Sequence, residues 1–473
     1  MCIRDSYYFS DSANGGVSIQ TPILATTTGG LVVSAAVAPL ELAAANTFTG
    51  GVWLNSGNAR VAFAETAGTS GPLGASGTIR FNGGTLQYSS ANTFDYSSRF
   101  STEAGQLYNV NTNGQNATWA ANLTSAGGTL TKVGTGNLTL TGSNALVGIT
   151  GSAGFIIVGG ANALGTGTVT LSGGGLSADA SPRTVTNPVA FTADTNLQSS
   201  TSSAALTLAG PVSFPSSAIT ITVPNGAANP PEISGSISGS NTALTLGNGT
   251  NLILSGNNSG WTPASFSVAN GGITVGHPNA LGNGSATYST SNASTFTINA
   301  DLTGSNARAN SFVLGGNLTI SGSQGLTVLG SLTASAADRT LTNSVQPDKL
   351  LTFAGPVLLR NGTDTTARSV TFGGSGNTTI SGTISNGGVS GSASLVKTGA
   401  GILRLTAANT YTGTTGVSAG ILSVGGTASL PGWNTAGRYS VAAGAALVVG
   451  EGVSDADLDT IRTTGSFAAN AFI

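Results

Sequence analysis

The sequence predicts an all-β chain wound as a parallel β-solenoid. Three observations lead there. Short segments alternate apolar and small polar residues between glycine or asparagine breaks. Those segments recur serially along 473 residues, and helical periodicity is nearly absent.

The strands come first. NLTLTG, FIIVG, TVTLSG, NLILSG, TFTINA and ILSVGG each place Leu, Ile, Val or Phe at every second position. That period of two gives a strand one apolar and one hydroxyl-bearing face. A sandwich or closed barrel would need hairpins, and Asn-Gly pairs that could turn them occur at Asn82, Asn225, Asn270 and Asn361. A solenoid accounts better for short strands in serial copies. Each strand stacks on its counterpart in the next turn, and glycine supplies corners with positive φ. At an assumed ~20–25 residues per turn and ~4.8 Å between strands, roughly 18–22 turns form an elongated body.

The copies come next. LELAAANTFTG starts at Leu40, LTLTGSNALVG at Leu138, LILSGNNSGWT at Leu252 and LRLTAANTYTG at Leu403. Upstream, LTKVGTGNLTL from Leu130 parallels LVKTGAGILRL from Leu395, with Lys132 and Lys397 in one place and Leu246 there in the third copy. Downstream, GPLGASG from Gly71, NALGTGT from Asn162 and NALGNGS from Asn279 resemble one another. A second module appears twice: RTVTNPV and RTLTNSV, LTLAGPV and LTFAGPV, ISGSIS and ISGTIS. Lys397 and Arg404 look like a basic pair. Leu246 stands in place of the first, and Glu41 or Thr139 in place of the second, so both positions read as solvated outer ones.

This organisation gives a solenoid over 31–453, an unassigned leader over 1–30 and, over 454–473, a short helix with a truncated continuation. The helix is SDADLDTIRT, with Ser454 as N-cap and Asp457 at capping-box spacing. Residues 1–6, MCIRDS, resemble a translated adapter remnant, and the chain reads as an internal fragment whose missing signal peptide says nothing of export. The apolar run Leu31–Ala45 contains Pro39 and Glu41 and falls short of the ~20 residues of a spanning helix, so no membrane-spanning segment is expected.

Composition narrows the partners. Charged residues are 7%, hydrophobic residues 39%, and glycines number 71. Thr, Ser, Asn and Gly must cover most of the surface. The net charge is −2 and the three lysines are far apart, so nucleic acid is not a partner. One cysteine, Cys2, permits neither an intrachain disulfide nor a Cys-based zinc site.

Candidate chemistry is sparse. His277, followed by proline, reads as a turn residue without a catalytic partner. Glu65, Asp95, Glu103, Asp194, Glu232 and Asp301 are solitary in sequence, although stacked turns could bring distant acids together. Asp455, Asp457 and Asp459 open like a calcium loop, but Thr460 and Ser466 stand where glycine and glutamate are needed. Trp53, Trp119, Trp261, Trp433 and Tyr411 read as core or corner packing rather than a sugar-stacking face. No catalytic, cofactor-binding or metal residue is assigned, and no cofactor is expected.

The stretch from Leu395 to Gly426 closely resembles the autotransporter-associated β-strand repeat: K-x-G-x-G, a strand, A-N-T-Y-x-G, a strand, then A-G-x-L-x-V-G. The resemblance implies a right-handed parallel β-helix in an exported bacterial protein, outside the cell or on its outer surface. The expected role is structural, as stalk, spacer or adhesive surface, with surface glycans or a host or neighbouring cell as partner. The alternative is a carbohydrate-binding or polysaccharide-cleaving β-helix. Oligomeric state is unassigned.

Overall fold

Alternation decides what these strands bury. In Leu138–Leu140 and Leu206–Leu208 the two leucines are fully buried and the threonine between them faces outward. Burying each such leucine contributes about 1.5–3 kcal/mol. The structure, a computed structural model, describes residues 6–9, 16–24, 29–34, 38–198, 204–223, 229–247, 249–283, 286–335, 337–361, 366–388 and 391–473. Cys2, Asn225, the glycine after Asn361 and the middle of the run Leu31–Ala45 lie outside them. The fold is an all-β parallel β-solenoid of about 19 turns. Among the described residues no helix is long and apolar enough to cross a membrane.

The chain divides into two compact units. Unit 1 comprises Met1–Phe214 and Val223–Pro231; unit 2 comprises Pro215–Thr222 and Glu232–Ile473. In unit 1 one sheet face climbs through Leu107–Asn111, Thr129–Val133, Gly148–Gly151, Thr168–Leu171 and Val189–Phe191, each pair parallel. A second face runs Ala117–Trp119, Leu138–Leu140, Phe155–Val158, Gly175–Ala178. Earlier in the chain, Ser6–Phe9 pairs with Gly30–Ser34, and Val17–Ile19 with Leu40–Leu42.

In unit 2 a six-stranded sheet runs from Leu326–Val328 to Ala446–Gly452. Its register stacks like on like. Val328, Phe353, Ile380, Leu405 and Val424 form one buried column, while Thr327, Thr352, Thr379, Arg404 and Ser423 form the outward column beside it. Arg404 is exposed there, as its exchange with Glu41 and Thr139 suggested. The helix Asp455–Thr464 starts at Ser454, whose hydroxyl accepts from the Asp457 amide at 3.2 Å. The ladder then resumes with Ser466–Phe467 on Tyr439–Val441.

Strand stacking alone leaves the corners' backbone groups unpaired, and one residue of every anchor copy meets that need. It is the asparagine at the seventh place: Asn46, Asn144, Asn258 and Asn409, each no more than 9% exposed. Each side-chain oxygen accepts from an amide in the preceding turn, at Ile23, Leu123, Ile237 or Ile384, always at 2.8 Å. Each side-chain nitrogen donates to a carbonyl in the following turn, at Pro72, Ala163, Ala280 or Ser429, at 2.6–2.8 Å. The leucine after each acceptor is buried. The anchor and the downstream P-L-G or A-L-G motif, replaced by Ser429-Leu430-Pro431 in the last copy, are therefore two halves of one contact. The bridged residues lie 19 to 26 apart in sequence, so the loops between them vary while the contact persists.

Outer asparagines repeat the trick at lower burial. Asn122, Asn317 and Asn377, which could pass for glycosylation sequons, accept from the Ser143, Thr340 and Ile402 amides of the next turn.

Replacing Asn409 by alanine strands the Ile384 amide and the Ser429 carbonyl in the core. At about 1–3 kcal/mol for each buried group left unsatisfied, the expected loss is about 2–4 kcal/mol. Hydrogen exchange should quicken at Ile384 and in the adjoining turns only, because contacts join neighbouring turns. Unchanged exchange at Ile384 would contradict the bridge.

Candidate functional site

The two lysines that recur in the repeat were expected on the outside, and the structure corrects that. Lys132 is fully buried and Lys397 is 3% exposed. Lys132 Nζ donates to the Gly134 carbonyl at 2.7 Å, the Ala153 carbonyl of the next turn at 2.7 Å and the Thr112 hydroxyl of the preceding turn at 3.3 Å. Lys397 Nζ donates to the Thr398, Gly399 and Ala419 carbonyls at 2.6, 2.7 and 3.2 Å.

The motif K-x-G-x-G followed by A-G thus has a physical reading. The glycine two residues on, Gly134 or Gly399, has φ of 82° or 70° and turns its carbonyl toward Nζ. The A-G pair of the next turn, Ala153–Gly154 or Ala419–Gly420, presents the second carbonyl at an equally left-handed corner. An ammonium has three donors, and each lysine finds three or more oxygens for them. Burial pulls each from 10.5 to about 8, which leaves the ammonium predominant at neutral pH.

Two signals in the sequence pointed inward. Lys132 and Lys397 share strand parity with Leu130 and Leu395, which are buried. Leu246, their replacement, is buried too. A position that accepts lysine and leucine can be a core position if the lysine's carbonyls are supplied locally.

The acids are less solitary than their sequence spacing suggested. The Tyr96 hydroxyl donates to Glu65 Oε2 at 2.7 Å, and Arg99 Nη1 stands 3.9 Å from Glu65 Oε1. Burial raises the Glu65 carboxyl and outweighs the opposing pull of Tyr96 and Arg99. Arg99 also donates to the Leu73, Gly74, Ser76 and Gly77 carbonyls, tying two long corners together. Glu103 pairs with Arg80 at 3.1 Å, and that guanidinium lies over the Trp53 ring, 5.2 Å from its centre. Glu41 pairs with Arg60 at 3.1 Å. Asp95 accepts from the Ser97 and Ala120 amides, Asp301 from the Thr303 amide, and Glu232 from the Ser255 hydroxyl. These partners come from adjacent turns or nearby loop positions, and each carboxylate answers a cation, amide or hydroxyl. Among the described residues no group of three or more His, Cys, Asp or Glu side chains is placed to hold a metal ion.

His277 sits half-buried in its turn, where Nδ1 accepts from the Asn279 amide at 3.0 Å. Asp455 and Asp457 lie in the first turn of the helix, and Asp457 also accepts from the Ser454 hydroxyl at 2.8 Å. Trp119, Trp261 and Tyr411 are core residues. Their polar ends meet the Tyr88 hydroxyl, the Asn241 side-chain oxygen Oδ1 and the Thr415 hydroxyl. Trp53 and Trp433 are only half-buried, and Trp53 faces outward.

One cleft, of about 230 Å³, opens at the corner of three successive turns in unit 2, among Ser259, Asn279, Asn283 and Arg308. Arg308 is fixed there by its Nε on the Asn306 carbonyl at 2.8 Å and its Nη1 on the Pro278 carbonyl at 2.7 Å.

Residues 40–58, 130–158 and 395–424 match the passenger-associated-transport-repeat family. The matches contain Asn46, Lys132 with Asn144, and Lys397 with Asn409. No curated protein and no solved structure matches the chain.

The lysines set a pH dependence. Between pH 8 and 10.5 the unfolded chain keeps a proton on each that the folded chain has released. Stability from these two groups should therefore rise with pH across that window. Above about pH 10 the buried tyrosines, such as Tyr411 at about 12, act in the opposite sense. Urea unfolding at pH 7.5 and 9.5 should show the rise, and the double variant Lys132→Met/Lys397→Met should abolish it. A rise that persists in that variant would assign it to other groups.

Proposed function

We propose that this chain, a carrier of passenger-associated transport repeats in a parallel β-solenoid, is a structural segment of an exported protein. It stands outside the cell or on the bacterial outer surface as stalk, spacer or adhesive surface, and catalyses nothing. The observation that carries this reading is where the polar side chains go. The anchor asparagines and the corner lysines hold one turn to the next, and the carboxylates of Glu41, Glu65, Asp95, Glu103, Glu232 and Asp301 are absorbed by cations, amides and hydroxyls. A polysaccharide-cleaving site needs two carboxyl groups facing one bond, about 5–9.5 Å apart. The alternative reading as a carbohydrate-binding surface gains support from the Arg308 cleft, whose lining includes Ser259, Asn279 and Asn283.

Two measurements test the proposal. Antibody against the chain should label intact cells producing the protein with its native flanks, or bind it in their medium; confinement to the cytoplasm would overturn the surface role. Purified chain incubated with polygalacturonate should release no reducing ends. Release that Glu65→Gln abolishes would overturn the non-catalytic reading.

A further inference from the structure

We propose that the corner cleft of unit 2 binds one carboxylated sugar residue, with the Arg308 guanidinium taking the carboxylate and Asn283 and Ser259 taking ring hydroxyls. The inference rests on the surface-exposed, glycan-facing reading above and names the chemistry of the glycan.

The guanidinium is the starting point. It has five N–H donors in a rigid plane, and the Asn306 and Pro278 carbonyls occupy two of them. The first bond ties the plane to its own loop and the second to the corner of the preceding turn. Burial works against its charge, yet the oxygens it donates to are the neutral carbonyls of Asn306 and Pro278 rather than a carboxylate. A fixed, partly desolvated guanidinium with donors to spare is suited to a two-pronged contact with a carboxylate.

The rest of the cleft selects among carboxylates. Its lining holds no acid that would repel one. Ser259 and Asn283 are exposed neutral groups that can both donate and accept, as sugar hydroxyls require. Asn279 is positioned by its own bond to Asn257, at 3.0 Å, and offers its remaining oxygen. Alanines 307 and 309 supply only small apolar contacts, so a peptide side chain would find no pocket beyond the charge. The volume of about 230 Å³ is below the roughly 300–1,000 Å³ of sites for larger ligands and suits a single ring.

Titration with methyl glucuronide, followed by ligand-observed NMR, tests the site. Binding should be saturable and salt-sensitive, and methyl glucoside should bind far more weakly. Arg308→Gln should weaken binding about tenfold or more, as expected for a lost charged hydrogen bond. Asn283→Ala, on the exposed rim and away from the carbonyl contacts, should weaken it with the melting curve unchanged. Equal binding by acetate or by N-acetyl-aspartate would overturn the sugar assignment. No binding, or binding indifferent to both substitutions, would remove the site altogether. Surface labelling of intact cells does not depend on Arg308, so that failure would leave the structural reading standing.

Discussion

A buried asparagine amide that reaches both neighbouring turns is the contact on which the rest of this solenoid depends. Parallel strands satisfy their own backbone along the ladder, but each corner leaves an amide and a carbonyl facing the core. Asn46, Asn144, Asn258 and Asn409 answer both at once, accepting from the turn before and donating to the turn after. A buried amide so satisfied fixes register, because slipping by one residue would strand two polar groups in an apolar interior. The corners can then lengthen or shorten without disturbing the stack.

The lysine corners follow the same logic with a charge. Lys132 and Lys397 join their own left-handed glycine corner to the A-G corner of the next turn. An isolated buried ammonium would be costly, and carbonyl dipoles from three positions offset that cost. Where Leu246 stands instead, the turn relies on apolar burial. The charge is thus one of two solutions to filling a corner, which is why it exchanges with leucine and not with the acids or hydroxyls found at Arg404's place. The Glu65–Tyr96–Arg99 cluster is a local third solution: two long corners of unit 1 are held by one buried carboxylate and one arginine.

Much of this was legible from residues. Leu–x–Leu parity named the core columns, serial anchors named the turns, and the capping-box spacing at Ser454 and Asp457 placed the helix start. The amide-bearing turn after each anchor strand was visible as a persistent feature, though not what it bonded. Lys397 was misread because exchange among copies was taken as a sign of solvent, when parity with Leu395 carried the better information. Glu65 looked solitary because its partners are 31 and 34 positions away in sequence, a distance that one loop and one turn close.

By itself the sequence determined the fold class, the strand faces and the repeat, since period two and glycine spacing are local consequences of backbone geometry. It also bounded the chemistry, since 7% charged residues leave few groups to react. Tertiary structure decided which carbonyls each asparagine and lysine reach, which acids find cations, and that Arg308 lines a cleft with donors to spare. Those outcomes depend on residues about one turn apart, and turn-to-turn separations that vary from 19 to 26 residues hide that relation from any fixed spacing in the chain.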